Sequence, residues 1–299
     1  MRILLTGISG QVGSALVRPL GAIGTVLPLD RGALDLSSPD TIAGVLDRLR
    51  PDLIVNPAAY TAVDRAEEGP DLAYRINAES PSRIAAWAVG HDVPLVHLST
   101  DYVFDGAGEQ PWRESDTPRP LSVYGASKLA GEQAIRAAGG PHLIVRTSWI
   151  YAAREANFLR TIARLAGERT ELRIVADQFG APTSARTLAG SIAGIVAGAL
   201  PDLGGRFAEA EGLVHVAASG ETSWHGFAVA IVDGLRSRGA KLRAERVVSI
   251  RTGDHPAKAR RPRNSRFDLS RLRQVFGIAP AHWTGALEAE LDALVEGPA

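Results

Sequence analysis

The sequence predicts an α/β fold: a Rossmann-type doubly wound parallel sheet followed by a smaller C-terminal substrate lobe. Three observations carry that prediction. Short apolar runs alternate with helical patterns as far as Tyr151, which argues for parallel strands joined by helical crossovers. A glycine-rich turn, Gly7-Ile8-Ser9-Gly10-Gln11-Val12-Gly13, follows the first of those runs directly. Beyond Tyr151 the alternation loosens, as it would where a second unit begins.

The elements are taken in order. Ile3–Thr6 is apolar and ends in glycine, which reads as a buried strand. The helix after it carries Leu16, Val17 and Leu20. Thr25–Leu29 is the second strand. Asp35-Leu36-Ser37-Ser38-Pro39 opens a helix with Ile42, Val45, Leu46 and Leu49 on one face. Leu53–Asn56 is the third strand and Leu72–Val89 the next helix, with Asn77 inside it either exposed or held in a structural or site role. Leu95–Leu98 and Leu143–Arg146 complete the predicted sheet. Between them lie a polar, proline-rich loop (Gly106–Pro120) and a helix capped by Ser122. Further on, helices are expected at Phe158–Ala166, Ala185–Ala199, Trp224–Leu235, Leu269–Val275 and His282–Leu294. Strands are expected at Leu172–Val175, Leu213–Val216 and Leu242–Ile250. Residues 1–150, with returning elements at about 155–176 and 184–212, are assigned to a dinucleotide-binding domain. Residues from about 213 to 299, with the loop 177–183, are assigned to the substrate lobe.

The glycine turn suits a dinucleotide phosphate. Gly7 permits the turn, Gly10 lets the backbone approach a pyrophosphate, and Gly13 allows close helix–strand packing. At the end of the second strand, Asp30 would accept from the ribose hydroxyls of NAD, whereas Arg31 would neutralise the 2′-phosphate of NADP or lie exposed. Asp35 and Leu36 sit where an adenine could rest. After the third strand, small residues including Ala58 and Ala59, then Tyr60 and Thr61, let a cofactor pass over the sheet edge. The stretch Tyr124-Gly125-Ala126-Ser127-Lys128 places a phenol and an ammonium four residues apart, on one helix face. The chain has three lysines and five tyrosines, so this spacing is informative. An ammonium beside a phenol is expected to lower the phenol's pKa toward neutrality, so that the hydroxyl can give a proton and recover it. Thr100 and Asp101 end a central strand near that helix.

Composition excludes several classes. Acids and bases balance at 33 each, which argues against nucleic acid or an anionic membrane as a partner. The basic loop Lys258–Arg266 lacks interleaved aromatics; it is either a clamp for a substrate diphosphate or a solvated loop. With no cysteine there is no disulfide, zinc thiolate or cysteine nucleophile, and a reducing cytoplasm is expected. Met1–Gly7 is apolar too briefly for a signal peptide. No histidine pair has metal-ligand spacing on a helix, so no metal is expected.

With these motifs the chain resembles the extended short-chain dehydrogenase/reductases and, within them, the dTDP-4-dehydrorhamnose reductases. The similarity rests on the glycine turn and Tyr124/Lys128, on Asn56–Asp64, Ser99–Gly106 and Thr147-Ser148-Trp149, and on Asp177–Thr183, Ser223-Trp224 and Arg261–Ser265. It implies reduction, by NADPH or NADH, of the 4-keto group of a dTDP-6-deoxyhexulose to give dTDP-L-rhamnose, a surface-polysaccharide precursor. It further implies Tyr124 as proton donor, Lys128 as cofactor anchor and pKa tuner, and Thr100 as the hydroxyl that orients the ketone. Gly10, Gln11, Val12, Asp30, Asp35, Leu36, Ala59, Tyr60 and Thr61 would surround the cofactor, with Asp101, Tyr102 and Trp149 near the sugar nucleotide. One departure stands out. Some members carry Trp-Glu after the third glycine, and that Glu helps build a magnesium-linked dimer; here Ser14-Ala15 replaces the pair. A monomer or metal-independent homodimer is therefore expected. The alternatives are a reductase for another dTDP-deoxysugar, or a silent regulatory subunit resembling that of methionine adenosyltransferase. A 4,6-dehydratase is disfavoured because Tyr102, not Glu, follows Thr100-Asp101.

Overall fold

Six strands of mostly apolar sequence make one parallel sheet, in the order Leu213–His215, His142–Thr147, Leu95–Thr100, Leu53–Asn56, Arg2–Thr6, Thr25–Leu29. The computed structural model describes residues 1–255 and 257–296. Strand order reverses between Arg2–Thr6 and Leu53–Asn56, so the sheet grows outward in both directions from the first strand. Ligands of such sheets sit at the carboxyl ends of the strands beside that switch point.

Strand periodicity explains how the two faces are filled. Ile3, Leu5, Leu53 and Val55 point to one face, where they meet Leu16 and Leu20 of the helix Gln11–Gly21 and Leu188 and Ile192 of the helix Ala185–Ala199. Leu4 and Ile54, one residue out of phase, point to the other face and meet Ile42, Leu46, Ile84 and Trp87. Leu16, Leu20, Ile42 and Leu46 are fully buried. Each such side chain contributes about 1.5–3 kcal/mol by leaving water. Gly13 is required by this packing: a Cβ there would lie 2.1 Å from the carbonyl oxygen of Gly7.

The second unit has its own core. Glu171–Val175 pairs in parallel with Arg246–Ile250, and Leu159, Ile162, Phe227, Ile231, Trp283 and Leu287 pack together. The sequence division differs from this arrangement at two places. Glu171–Val175 and the helix Phe158–Glu168 join the second core, although 155–176 was assigned to the dinucleotide-binding domain. Leu213–His215 joins the main sheet beside His142–Thr147, although it was assigned to the lobe. A three-residue strand buried at every position needs a large sheet to cover both of its faces, and only the main one offers that. Of the expected lobe, residues 256 and 297–299 lie outside the described residues.

Two elements are shorter or less regular than expected. The strand ending at Ile250 begins at Arg246, because the amides of Arg243 and Ala244 bond the carbonyl of Ala166. The helical stretch Leu72–Val89 is broken: Pro70–Tyr74 and Ser80–Gly90 are α-helical, with a π-helical turn, Arg75–Glu79, between them. A further helix, Leu203–Glu209, was not expected; Asp202 caps it by accepting from the amide of Gly205 at 2.8 Å. Among the described residues, no single helix is long and apolar enough to cross a membrane.

Candidate active site

The carboxyl ends of the central strands open into a cavity of about 750 Å³. Gly7, Gly10, Gln11, Val12 and Gly13 line one end, Arg31, Asp35 and Leu36 the rim, and Ala58, Ala59, Tyr60 and Thr61 the floor. Thr100, Asp101, Tyr102, Tyr124, Lys128 and Trp149 line the other end. Of the residues given a cofactor, substrate or catalytic role in the sequence, Asp30 alone is not on the cavity wall, and neither Asn77 nor the basic loop Lys258–Arg266 lines it. The Asp30 carboxylate turns back to accept from the amide of Ala33 at 2.9 Å.

The helix Val123–Ala138 starts where the sequence predicts, with Ser122 accepting from the amide of Gly125 at 3.2 Å. Its first turn presses against the segment after Thr100, where a Cβ on Gly125 would stand 2.1 Å from the carbonyl of Tyr102. That contact brings Tyr124 next to Tyr102, edge to face at 5.4 Å between ring centroids. Asn77, in the π-helical turn, is fully buried and joins the pieces. It accepts from the amide of Tyr60 (2.8 Å) and donates to the carbonyl of Tyr60 and the hydroxyl of Ser127 (both 3.0 Å). The cavity floor is thereby tied to the Tyr124 helix. π-Helical turns recur at functional sites.

The electrostatics differ from the sequence expectation. Lys128 does not lower the pKa of Tyr124. Its Nζ is directed at the carbonyl of Leu98 (2.6 Å) and Nε2 of His97 (3.1 Å). Burial pushes the Tyr124 phenol up to about 12, with the Thr100 hydroxyl pulling it back and the Asp101 charge pushing it further. Burial also pulls Lys128 down to about 8. Asp101 is raised to about 6, again by burial, against hydrogen bonds from Ser265 and Thr100. Thr100 donates to Asp101 Oδ1 at 3.1 Å and accepts from the amide of Tyr102 at 3.2 Å.

Several wall residues enter the sequence reading only as members of motifs, with no role of their own. Ser99, Thr147 and Ser148 are buried on the cavity wall at or just past strand ends, and their hydroxyls have no partner, nor does Asp101 Oδ2. Such orphaned groups fit a polar ligand, because a buried hydroxyl or carboxylate without a hydrogen bond is costly. Their position at the ends of two central strands was a usable signal. Trp224 was noted only as part of a motif. It stacks on Trp149 with 3.6 Å between centroids, and Trp149 holds φ 51°. A large aromatic in the left-handed region costs about 1–3 kcal/mol and marks a place where the side chain's position matters. Asn157 reaches across to donate to Gln11 Oε1 at 3.0 Å, closing the cavity at the glycine turn.

The basic segment is mostly neutralised locally. Lys258 pairs with Glu68, Arg261 with Asp64 (2.7 Å) and Arg266 with Glu221 (2.9 Å), while Arg260 and Arg263 are exposed. Among the described residues, no group of three histidine, aspartate or glutamate side chains is placed to hold a metal ion.

Comparison with known proteins adds the context. Residues 1–296 match the family model described as the RmlD substrate binding domain. The dTDP-4-dehydrorhamnose reductase of Burkholderia thailandensis is 46% identical, over 96% of this chain and 97% of that protein. The enzyme of the same name from Escherichia coli K12 is 42% identical over 98% of both chains. Among solved structures, the dTDP-4-dehydrorhamnose reductase of Bacillus anthracis in complex with NADP superposes with a TM-score of 0.87. It is 34% identical, and 99% of each chain is covered.

Proposed function

The chain belongs to the RmlD substrate binding domain family, and on that premise we propose that it reduces the 4-keto group of a dTDP-6-deoxy-4-ketohexose. The substrate we assign is dTDP-4-dehydro-L-rhamnose, and the product dTDP-L-rhamnose. The reductant is NADPH or NADH, in keeping with the NADP-bound relative. The single observation that carries the reading is one cavity that joins the glycine turn to Thr100, Tyr124 and Lys128.

The wall fits a dinucleotide at one end and a polar substrate at the other. Gly10, Gln11 and Val12 would hold the pyrophosphate on backbone amides and the helix start. Asp35 and Leu36, with Arg31, would hold the adenosine end, and Lys128 a nicotinamide-ribose hydroxyl. When bound, the nicotinamide supplies the hydride that reduces the carbonyl carbon.

Every other step falls to the chain's own groups. Tyr124, with its pKa near 12, stands fully protonated at neutral pH and is a loaded acid. The substrate oxygen becomes a far stronger base as negative charge develops on it, so proton transfer from the phenol is downhill. Thr100 Oγ1, held by the amide of Tyr102, turns its one hydrogen from Asp101 Oδ1 to the substrate's carbonyl oxygen and so orients it. Lys128, held on the Leu98 carbonyl, lines the same cavity and is left to hold the cofactor's ribose. Trp149, stacked on Trp224, and Tyr102 offer aromatic faces to the sugar nucleotide. A cytoplasmic location belongs to this proposal, because the reduction draws on the reduced nicotinamide held there. So does a monomer or metal-independent dimer, with Ala15 in place of a carboxylate.

Incubation with dTDP-4-dehydro-L-rhamnose and NADPH should lower absorbance at the nicotinamide band and yield dTDP-L-rhamnose by NMR. Absence of turnover with this ketosugar, under either cofactor, would refute the substrate assignment.

A further inference from the structure

A chain of buried polar side chains runs from the cavity wall under the sheet's carboxyl end and does not itself touch the cavity beyond Lys128. Lys128 Nζ meets His97 Nε2 at 3.1 Å, His97 Nδ1 meets Asn56 Nδ2 at 3.0 Å, and Thr6 Oγ1 donates to Asn56 Oδ1 at 2.6 Å. These four side chains are between 0 and 2% exposed. They come from the helix Val123–Ala138 and from three adjacent strands, and Thr6 immediately precedes the glycine turn. In a hydrophobic interior such a chain is retained only if every member is satisfied.

We propose that His97 is a positioning residue that holds Lys128 Nζ at the cavity wall in both of its protonation states, by a tautomer change passed on to Asn56. The inference rests on the reductase reading for its kinetic consequences, though not for its geometry.

The hydrogen bonds explain why His97 suits this place. As an ammonium, Lys128 has only protons to offer, so His97 Nε2 must accept and Nδ1 must carry the hydrogen. Asn56 then presents its carbonyl oxygen to Nδ1. As a neutral amine, Lys128 can accept, so Nε2 carries the hydrogen and Nδ1 accepts from the amide of Asn56. That second arrangement matches the placed atoms, with the Thr6 hydroxyl donating to Asn56 Oδ1. A neutral imidazole serves both, and burial together with the nearby Lys128 charge keeps His97 neutral by holding its pKa well below the ordinary value.

The other charges around Lys128 are accounted for. Glu132, one turn along its own helix, is held in a bidentate pair by Arg146 from the neighbouring strand, at 2.8 and 2.6 Å. Tyr124 and Asp101 line the same cavity. The Leu98 carbonyl is the fixed acceptor for Lys128. With Lys128 near 8, both forms are populated at working pH, which is where an adaptable partner matters.

Two substitutions separate positioning from bulk. His97→Gln places an amide where Nε2 was, able to accept or donate toward Lys128. His97→Asn reaches only toward Asn56. In the kcat/KM profile of the free enzyme, activity should fall as Lys128 loses its proton. His97→Asn should move that fall to lower pH by about one unit, since the charge-assisted bond the ammonium loses is stronger than the bond the neutral amine loses with it, and should lower kcat at neutral pH by about tenfold or more. His97→Gln should restore both to within a few-fold of the parent.

Equal profiles for the two variants and the parent would overturn the proposal, as would equal losses in both variants with an unmoved limb. If neither variant folds, ¹⁵N imidazole spectra of the unsubstituted protein decide. His97 should stay neutral and pass from the Nδ1-protonated to the Nε2-protonated tautomer between pH 7 and 9, as Lys128 deprotonates around its value of about 8. A single tautomer throughout would contradict the account. Failure of the unsubstituted enzyme to reduce any ketosugar would strike the reductase reading and leave the tautomer result standing.

Discussion

The two ends of the cavity are built differently. At the Tyr124 end, Thr100, Asp101 and Lys128 are buried and each is held by named hydrogen bonds from backbone or side chain. At the rim, Arg31 is three-quarters exposed, and its contact to Asp35 is a loose 3.5 Å pair. An exposed pair such as this one, set in a turn, is worth at most about 1 kcal/mol in water. The contrast shows where accuracy is needed: proton transfer requires fixed geometry, whereas holding a phosphate at the rim requires only charge.

That comparison orders the consequences of substitution. Tyr124→Phe removes the transferable proton alone and should lower turnover by about 10²–10⁴-fold. Steady-state assays with NADPH check it; unchanged turnover would mean the proton comes from elsewhere. Glu132→Ala strips the Arg146 guanidinium of its bidentate partner in a site 3% exposed, leaving an uncompensated buried charge. The loss should be about 3–5 kcal/mol. Urea unfolding would measure it, and a loss below 1 kcal/mol would show that water or another acid reaches Arg146.

At the rim the effects shrink. Arg31→Ala should raise the KM for NADPH several-fold more than that for NADH, because only NADPH carries the 2′-phosphate. Equal changes would place Arg31 away from that group. The smallest effect is expected from chelation: with Ala15 where a carboxylate ligand would stand, EDTA should alter neither activity nor oligomeric state. Light scattering coupled to size exclusion would expose a dimer that falls apart on chelation.

The sequence made the sheet legible because its inner strands are buried on both faces and so read as continuous apolar runs, bounded by glycine, proline or polar turns. The glycine turn and the Tyr124–Lys128 spacing were legible for a related reason: each is local. What escaped depends on contacts far apart in the chain. The pairing of Glu171–Val175 with Arg246–Ile250 spans 75 residues, and nothing near either strand names its partner. For Asn77 the sequence leaves exposure and a structural or site role both open, and only the π-helical turn that brings it to Tyr60 and Ser127 decides for the second. The pKa expectation for Tyr124 failed because residue spacing gives a shared helix face, not the direction of a long side chain. Lys128 extends to strand backbone instead.

The division between a rigid wall and a tolerant rim is tested most directly by titrating NADPH into Tyr124→Phe and Arg31→Ala and measuring turnover of the same samples. The account predicts opposite patterns. Tyr124→Phe should bind NADPH with nearly the parent's affinity and turn over about 10²–10⁴-fold more slowly, whereas Arg31→Ala should bind it several-fold more weakly and keep its kcat. Tyr124→Phe losing affinity in proportion to rate, or Arg31→Ala losing kcat with its affinity intact, would contradict it.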